Sequence, residues 1–354
     1  MAIKLRSRPR IACLLCVLLS LLANGLGFAA KSSSEMNTNH SGLETVSRRE
    51  KEESSISVAF LGNSILYFND CPRLVQRMLE HSGRYSSVQQ DSCLRGGASL
   101  PSLWEEGNGM TSKFRTPAAQ RNDGTFDTGA PMVSALFGEE MEWDFVVMND
   151  YTQAPARDSN RRRTLEVLRK HYAPLFQKSN VVPVFLQTFA YKVPNMNGSE
   201  DLGGVDSFTD KVLEGYQIYQ ELLETLLGRE CRVAPVGEAF RVLYHEHRVL
   251  WEKLYSWDDF HPSPHGTWLE ACVIYCTVTG EAPPAYTDLD SWWNQARYLQ
   301  PPSQEPMPRP TVGEANELRL LACRICQVME CNPTDPFTGG ANMISDGELR
   351  PFKL

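Results

Sequence analysis

Basic residues are in short supply: 35 Lys+Arg stand against 43 Asp+Glu, for a formal net charge of −8. A chain with that balance has no electrostatic footprint for nucleic acid, whose affinity rests on cations set against phosphates. Its short basic run, Arg161-Arg162-Arg163, reads as an exposed helix start. Long apolar runs are scarce as well. Ile11 to Ala23, broken by Ser20, falls short of the ~20 residues that a membrane-spanning helix needs. No internal repeat and no second core segment is visible, so a solenoid and a second catalytic-size domain are not expected. Cys323-x2-Cys326 lacks a second ligand pair at matching spacing, which argues against a zinc clamp.

What the first residues do contain is a basic n-region (Lys4, Arg6, Arg8, Arg10), the short apolar core and a small-residue pattern at Gly27-Phe28-Ala29. These are the parts of a secretory signal peptide over residues 1–29, and they imply a secreted or secretory-pathway protein. Leu26 and Phe28 extend the apolar stretch, so an uncleaved membrane anchor is one alternative, and a plastid-targeted precursor is another. Cleavage would leave 31 Lys+Arg against 43 Asp+Glu, a net charge near −12. It would also leave eight cysteines, an even number suited to an oxidising compartment. Cys71 with Cys93 is one expected bridge, and Cys323, Cys326 and Cys331 cluster near the end. Cys272 and Cys276, one helical turn apart, read as buried thiols or as bridged to other elements. Asn39-His40-Ser41 and Asn197-Gly198-Ser199 are glycosylation sequons.

Residues 30–55 are rich in Ser, Asn, Thr, Glu and Lys and read as a disordered leader. From Ile56 onward, strand-like and helix-like segments alternate, which calls for a parallel sheet covered on both faces. The expected strands are 56–61, 88–94, 144–149, 181–188 and 231–236. The expected helices are 72–82, 160–177, 204–227, 238–250, 264–279 and 314–329. Residues 104–141 form a glycine-bearing insertion of the kind that often walls a substrate. Pro283 to Pro310, with seven prolines and the pair Trp292-Trp293, reads as an extended wrapping segment within a 283–354 tail that ends in a helix.

Four stretches carry chemistry. In Ile56 to Leu66 an apolar run meets Gly62, then Asn63 and Ser64 at a strand-to-helix turn, where parallel sheets gather their ligand-binding loops. Trp257-Asp258-Asp259-Phe260-His261-Pro262 lets one tight turn hold Asp258 against His261, leaving the outer ring nitrogen to act as a base. Asp259 is the competing acid, but adjacent residues in a turn rarely face each other. Gly97, in Arg95-Gly96-Gly97, allows a bare N–H to approach a developing oxyanion. Asn149, ending the run Val146-Val147-Met148, offers a side-chain amide for the same purpose. His265 reads as a surface or first-turn residue rather than a metal ligand, and His245-Glu246-His247 as a solvated helix end.

In order and placement these stretches resemble the SGNH, or GDSL-type, hydrolase superfamily. Its blocks correspond to Gly62-Asn63-Ser64-Ile65, to Gly97, to Asn149-Asp150 and to Asp258-x-x-His261-Pro262. The resemblance covers about residues 56–280, essentially the whole of an expected 56–282 domain, and implies an α/β/α sandwich with a flavodoxin-like parallel sheet of about five strands. It implies a serine esterase with Ser64, Asp258 and His261 as catalytic residues and Ser64, Gly97 and Asn149 as the oxyanion hole, requiring no metal or organic cofactor. Two positions depart from the pattern: Asn63 stands for the usual aspartate, and Met148 for a common glycine. The expected partner is a small-molecule or glycan ester. Trp104, Trp143, Trp257, Trp292 and Trp293 favour an O-acetylated glycan, because indole faces stack on sugars. An O-acyltransferase with the same site and a non-catalytic glycan-binding or scaffold protein of the same fold are the alternatives.

Overall fold

The structure, a computed structural model, describes residues 54–110, 119–138, 141–285 and 307–328. The expected signal peptide, the Asn39 sequon, Trp292-Trp293 and Cys331 lie outside these residues. Among the described residues no helix is long and apolar enough to cross a membrane.

In chain order the elements are β1 (Ser55–Gly62), the one-turn α1 (Ser64–Tyr67), α2 (Cys71–His81), β2 (Ser87–Leu94), α3 (Leu100–Glu106), α4 (Val133–Leu136) and β3 (Phe145–Met148). There follow α5 (Asp158–Val167), α6 (Ala173–Ser179), β4 (Val182–Leu186), α7 (Val205–Leu227), β5 (Arg232–Ala234), α8 (Val236–Glu246), α9 (Arg248–Lys253), α10 (Pro264–Thr279) and α11 (Val312–Ile325). The five strands pair in parallel in the order β2-β1-β3-β4-β5. That is the parallel sheet covered on both faces expected from the alternation of segments, in the flavodoxin-like form that the resemblance implies, with α2 and α10 on one face and α3, α5, α6 and α7 on the other.

The strands form where they do because both faces are covered. Val58, Ala59, Phe60 and Leu61 of β1 and Val146, Val147 and Met148 of β3 are all buried, which only an apolar, β-branched run tolerates. Strand order reverses between β1 and β3, so the loops leaving these two strands diverge and open a crevice above their carboxyl ends.

Three expectations change. Residues 100–106, where no helix is expected and where the 104–141 insertion begins, form α3, started by a capping box in which Ser99 and Ser102 exchange bonds. The helix expected over 238–250 breaks at His247 into α8 and α9. Cys71 and Cys93 are both free and buried rather than bridged. The described part of the 104–141 insertion lies along the open edge of β2, where the Ala130 N–H donates to Ser92 O and the Gly109 N–H to Leu94 O. It thereby covers an edge strand that would otherwise present unpaired backbone.

Candidate active site

Gly62 ends β1 against β3. A Cβ there would stand 1.9 Å from Asn149 Oδ1, so only glycine lets the two loops meet. Asn63 then caps α1, its Oδ1 accepting the Ile65 N–H at 3.1 Å. Its Nδ2 donates to the carbonyls of Ala98 (2.8 Å) and Asp150 (3.1 Å), tying the loops after β1, β2 and β3 together. An aspartate has no N–H to give those two carbonyls, which is the physical sense of asparagine here.

Ser64 opens α1 with its hydroxyl 2.8 Å from His261 Nε2. His261 Nδ1 lies 2.6 Å from Asp258 Oδ2, while Asp258 Oδ1 accepts the backbone N–H groups of Phe260 and His261. The turn is pinned at its base. His261 O accepts the Ser256 N–H, Asp259 O accepts the Lys192 N–H, and Asn69 Nδ2 donates to Pro262 O and Thr267 Oγ1. Asp259 sits in left-handed backbone (φ 55°) and pairs with Lys192, so it is not the acid facing the imidazole. Burial opposes ionisation of Asp258, but the bonds it accepts from His261 and Phe260 outweigh it and hold the carboxyl below its ordinary pKa.

Phe68 stacks flat on the His261 ring, centroids 4.0 Å apart at 2°, and Phe260 flanks it at 4.2 Å. Together with Asn69 these contacts fix the ring plane. Neither Phe68 nor Asn69 was singled out from the sequence, where each is an ordinary residue following the serine.

Gly97 takes φ +70° in the turn after β2, a conformation that favours glycine. No described acceptor is bonded to the Ser64 or the Gly97 N–H. Both residues line a 360 Å³ cavity with Phe68, Tyr151, Asp258 and His261. Asn149 does not, and here the expectation is revised. It is fully buried, its Nδ2 donates to Asn63 Oδ1 (2.9 Å) and Asp150 O (3.1 Å), and its Oδ1 accepts the Asn63 N–H. Both amide hydrogens are spent inside the protein, so Asn149 buttresses the donor-bearing loops from behind rather than reaching the oxyanion.

Behind Asn149, the buried Asp150 carboxylate accepts from the N–H groups of Leu100 and Tyr151 and from the hydroxyls of Thr164 and Tyr219. Burial raises its pKa, and these four donors oppose the rise.

The other sequence candidates lie elsewhere. His265 is in the first turn of α10 as expected, but buried rather than on the surface, with Glu314 at 3.4 Å. His245 pairs with Asp206 and His247 with Glu317. Trp143 is core and donates to Leu136 O, Trp104 stacks on His171, and Trp257 is 43% exposed, its ring 6.5 Å from Phe68. None of the described residues of the 104–141 insertion lines the Ser64 cavity. A larger cavity, 640 Å³, opens at the opposite end of the sheet beside Ser55, Asp144 and Lys178, but its lining holds no histidine or cysteine.

No family model and no curated protein matches the chain. Among solved structures it is similar to a DUF4886 family protein from Bacteroides uniformis, at 15% identity and TM-score 0.52, over 77% of this chain and 95% of that one. It is also similar to a protein from Slackia heliotrinireducens described provisionally as an SGNH hydrolase, at 21% identity and TM-score 0.43, over 63% and 99%. A third is a two-domain esterase active on acetylated mannans, at 13% identity and TM-score 0.37, over 67% and 54%. At these identities the likeness is one of fold, and the chemistry of the site rests on its own side chains.

Proposed function

We propose that the protein is a serine esterase that cleaves a carboxylic ester through an acyl-enzyme. The observation that carries this reading is the unbroken line from Ser64 Oγ to His261 Nε2 (2.8 Å) and from His261 Nδ1 to Asp258 (2.6 Å) at the mouth of a cavity. Ser64 Oγ attacks the carbonyl carbon while its proton passes to His261 Nε2. Asp258, held ionised, fixes the ring and stabilises the imidazolium. The Ser64 and Gly97 N–H groups receive the oxyanion. Collapse of the tetrahedral intermediate breaks the bond to the alcohol, which leaves with the proton from His261. Water then repeats the sequence on the acyl-serine and frees the acid.

In this reading Phe68, Tyr151 and Phe260 line the space that receives the ester, and the proposed substrate class is an O-acetyl ester on a glycan. The test is hydrolysis of p-nitrophenyl acetate by the purified chain beside Ser64→Ala and His261→Ala. Turnover that both substitutions reduce by about 10⁴-fold or more supports the reading. Turnover that survives Ser64→Ala removes it.

A further inference from the structure

A second cavity, 250 Å³, adjoins the Ser64 cavity, and the two share Gly97 and Tyr151 in their walls. Its other face is α5, which presents Asn160 and Arg163. Three residues apart on a helix, these two stand on the same side. Two nearby arginines are engaged: Arg161 pairs with Asp158, and Arg157, just before α5, with Asp201. Arg163, exposed, makes no ion pair or hydrogen bond with any described residue, and the Asn160 side chain makes none either.

Three other polar side chains of this cavity are already engaged. Ser99 and Ser102 bond each other in the α3 capping box, and Thr164 donates to Asp150. No acidic residue lines the cavity. The carboxylate behind it, Asp150, is fully buried and satisfied by four donors. In a protein of net charge −8, an unpaired guanidinium with a free amide beside the proposed nucleophile is a local reversal of sign. The two donors match an acceptor-only group with several oxygens.

We infer that the second cavity is a subsite for an anionic group, a carboxylate or a comparable single anion, on the non-reacting part of the ester, held by Arg163 and Asn160. This rests on the serine-esterase reading and narrows it to esters of acid-bearing alcohols. Arg163 determines specificity and takes no part in bond making.

The test compares acetate release from 3-acetoxybenzoate, 4-acetoxybenzoate and 4-acetoxyphenylacetate with release from their neutral amides. Wild type should favour at least one acid over its amide by about ten- to a hundredfold in kcat/KM, mainly through KM. Arg163→Gln should abolish that preference while leaving the amides within about twofold, and Arg163→Lys should keep part of it. The preference should also shrink as salt rises. Equal rates on every acid and amide pair, or a preference that survives Arg163→Gln, overturns the subsite and leaves the serine mechanism standing. If wild type hydrolyses neither set, p-nitrophenyl acetate hydrolysis beside Ser64→Ala still decides the mechanism. Calorimetry with the Ser64→Ala chain then decides the subsite alone: binding of the free hydroxybenzoates that Arg163→Gln removes keeps it, and no binding ends it.

Discussion

The front and back of the candidate site are built on opposite rules. At the front, Ser64, Gly97 and His261 border an open cavity, with bare N–H groups and a hydroxyl poised for transfer. At the back, Asn63, Asn149 and Asp150 are buried, and every donor of the two amides and both carboxylate oxygens of Asp150 are bonded within the protein. Capacity left unspent at the front is what chemistry needs. Capacity fully spent at the back is what holds the three loops still, since a buried polar network stabilises only when it is complete. Substitutions in the two layers should therefore separate activity from stability.

The largest expected effect is at the front. Asp258→Asn keeps the shape of the turn but removes the charge facing His261, and it should lower kcat by roughly 10²–10⁴-fold while the fold persists. Its effect on stability has a sign. The folded-state pKa of Asp258 lies below the unfolded value near 4, so the ionised carboxylate stabilises above about pH 4, and that contribution fades as pH falls through the lowered value. The Tm gap between wild type and Asp258→Asn should be widest near neutrality and narrow as pH falls below about 4. A gap that widens in acid would mean the carboxylate is not held ionised.

Asn149→Ala sharpens the comparison most. It leaves the Asn63 N–H without an acceptor and takes one of two donors from Asn63 Oδ1 and from Asp150 O in a buried layer, at a cost of about 2–3 kcal/mol, or roughly 5 °C or more in Tm. Turnover should fall with it, because the loops bearing Ser64 and Gly97 lose their buttress. A loss of 10²–10³-fold in kcat with Tm unchanged would instead make Asn149 a direct oxyanion donor.

Tyr219→Phe should have the smallest effect. It takes one of four donors from Asp150 and should cost about 1 kcal/mol, seen as a few degrees in Tm, with kcat within about twofold. A large loss of kcat would show that the back layer is not merely a support.

The sequence showed the sheet because its strands are buried on both faces and read as plain apolar runs, as in Val58 to Leu61 and Val146 to Met148. It showed the pairing of Asp258 with His261 because three residues in a tight turn leave few ways to face each other. It hid α3, since the capping box there uses Ser102 at the third position instead of the glutamate or glutamine that usually marks one. The break at His247 left no proline or glycine to read. Asn149 was misplaced for a different reason: a pattern locates an amide at a strand end but does not say which way it faces. That direction is settled by contacts with Asn63, whose Oδ1 accepts from Asn149 Nδ2 and whose N–H donates to Asn149 Oδ1. Cys71 and Cys93 followed the parity of the cysteine count, whereas burial keeps both as core thiols.

The most direct test of the central claim is covalent. p-Nitrophenyl diethyl phosphate transfers its diethylphosphoryl group to an activated serine, with a new O–P bond at the serine and p-nitrophenolate as the leaving group. The intact mass of the treated chain should rise by one diethylphosphoryl group, with peptide mapping placing it on Ser64, and His261→Ala should remain unmodified under the same conditions. A label on another residue, or a Ser64 label formed as readily in His261→Ala, would contradict the account.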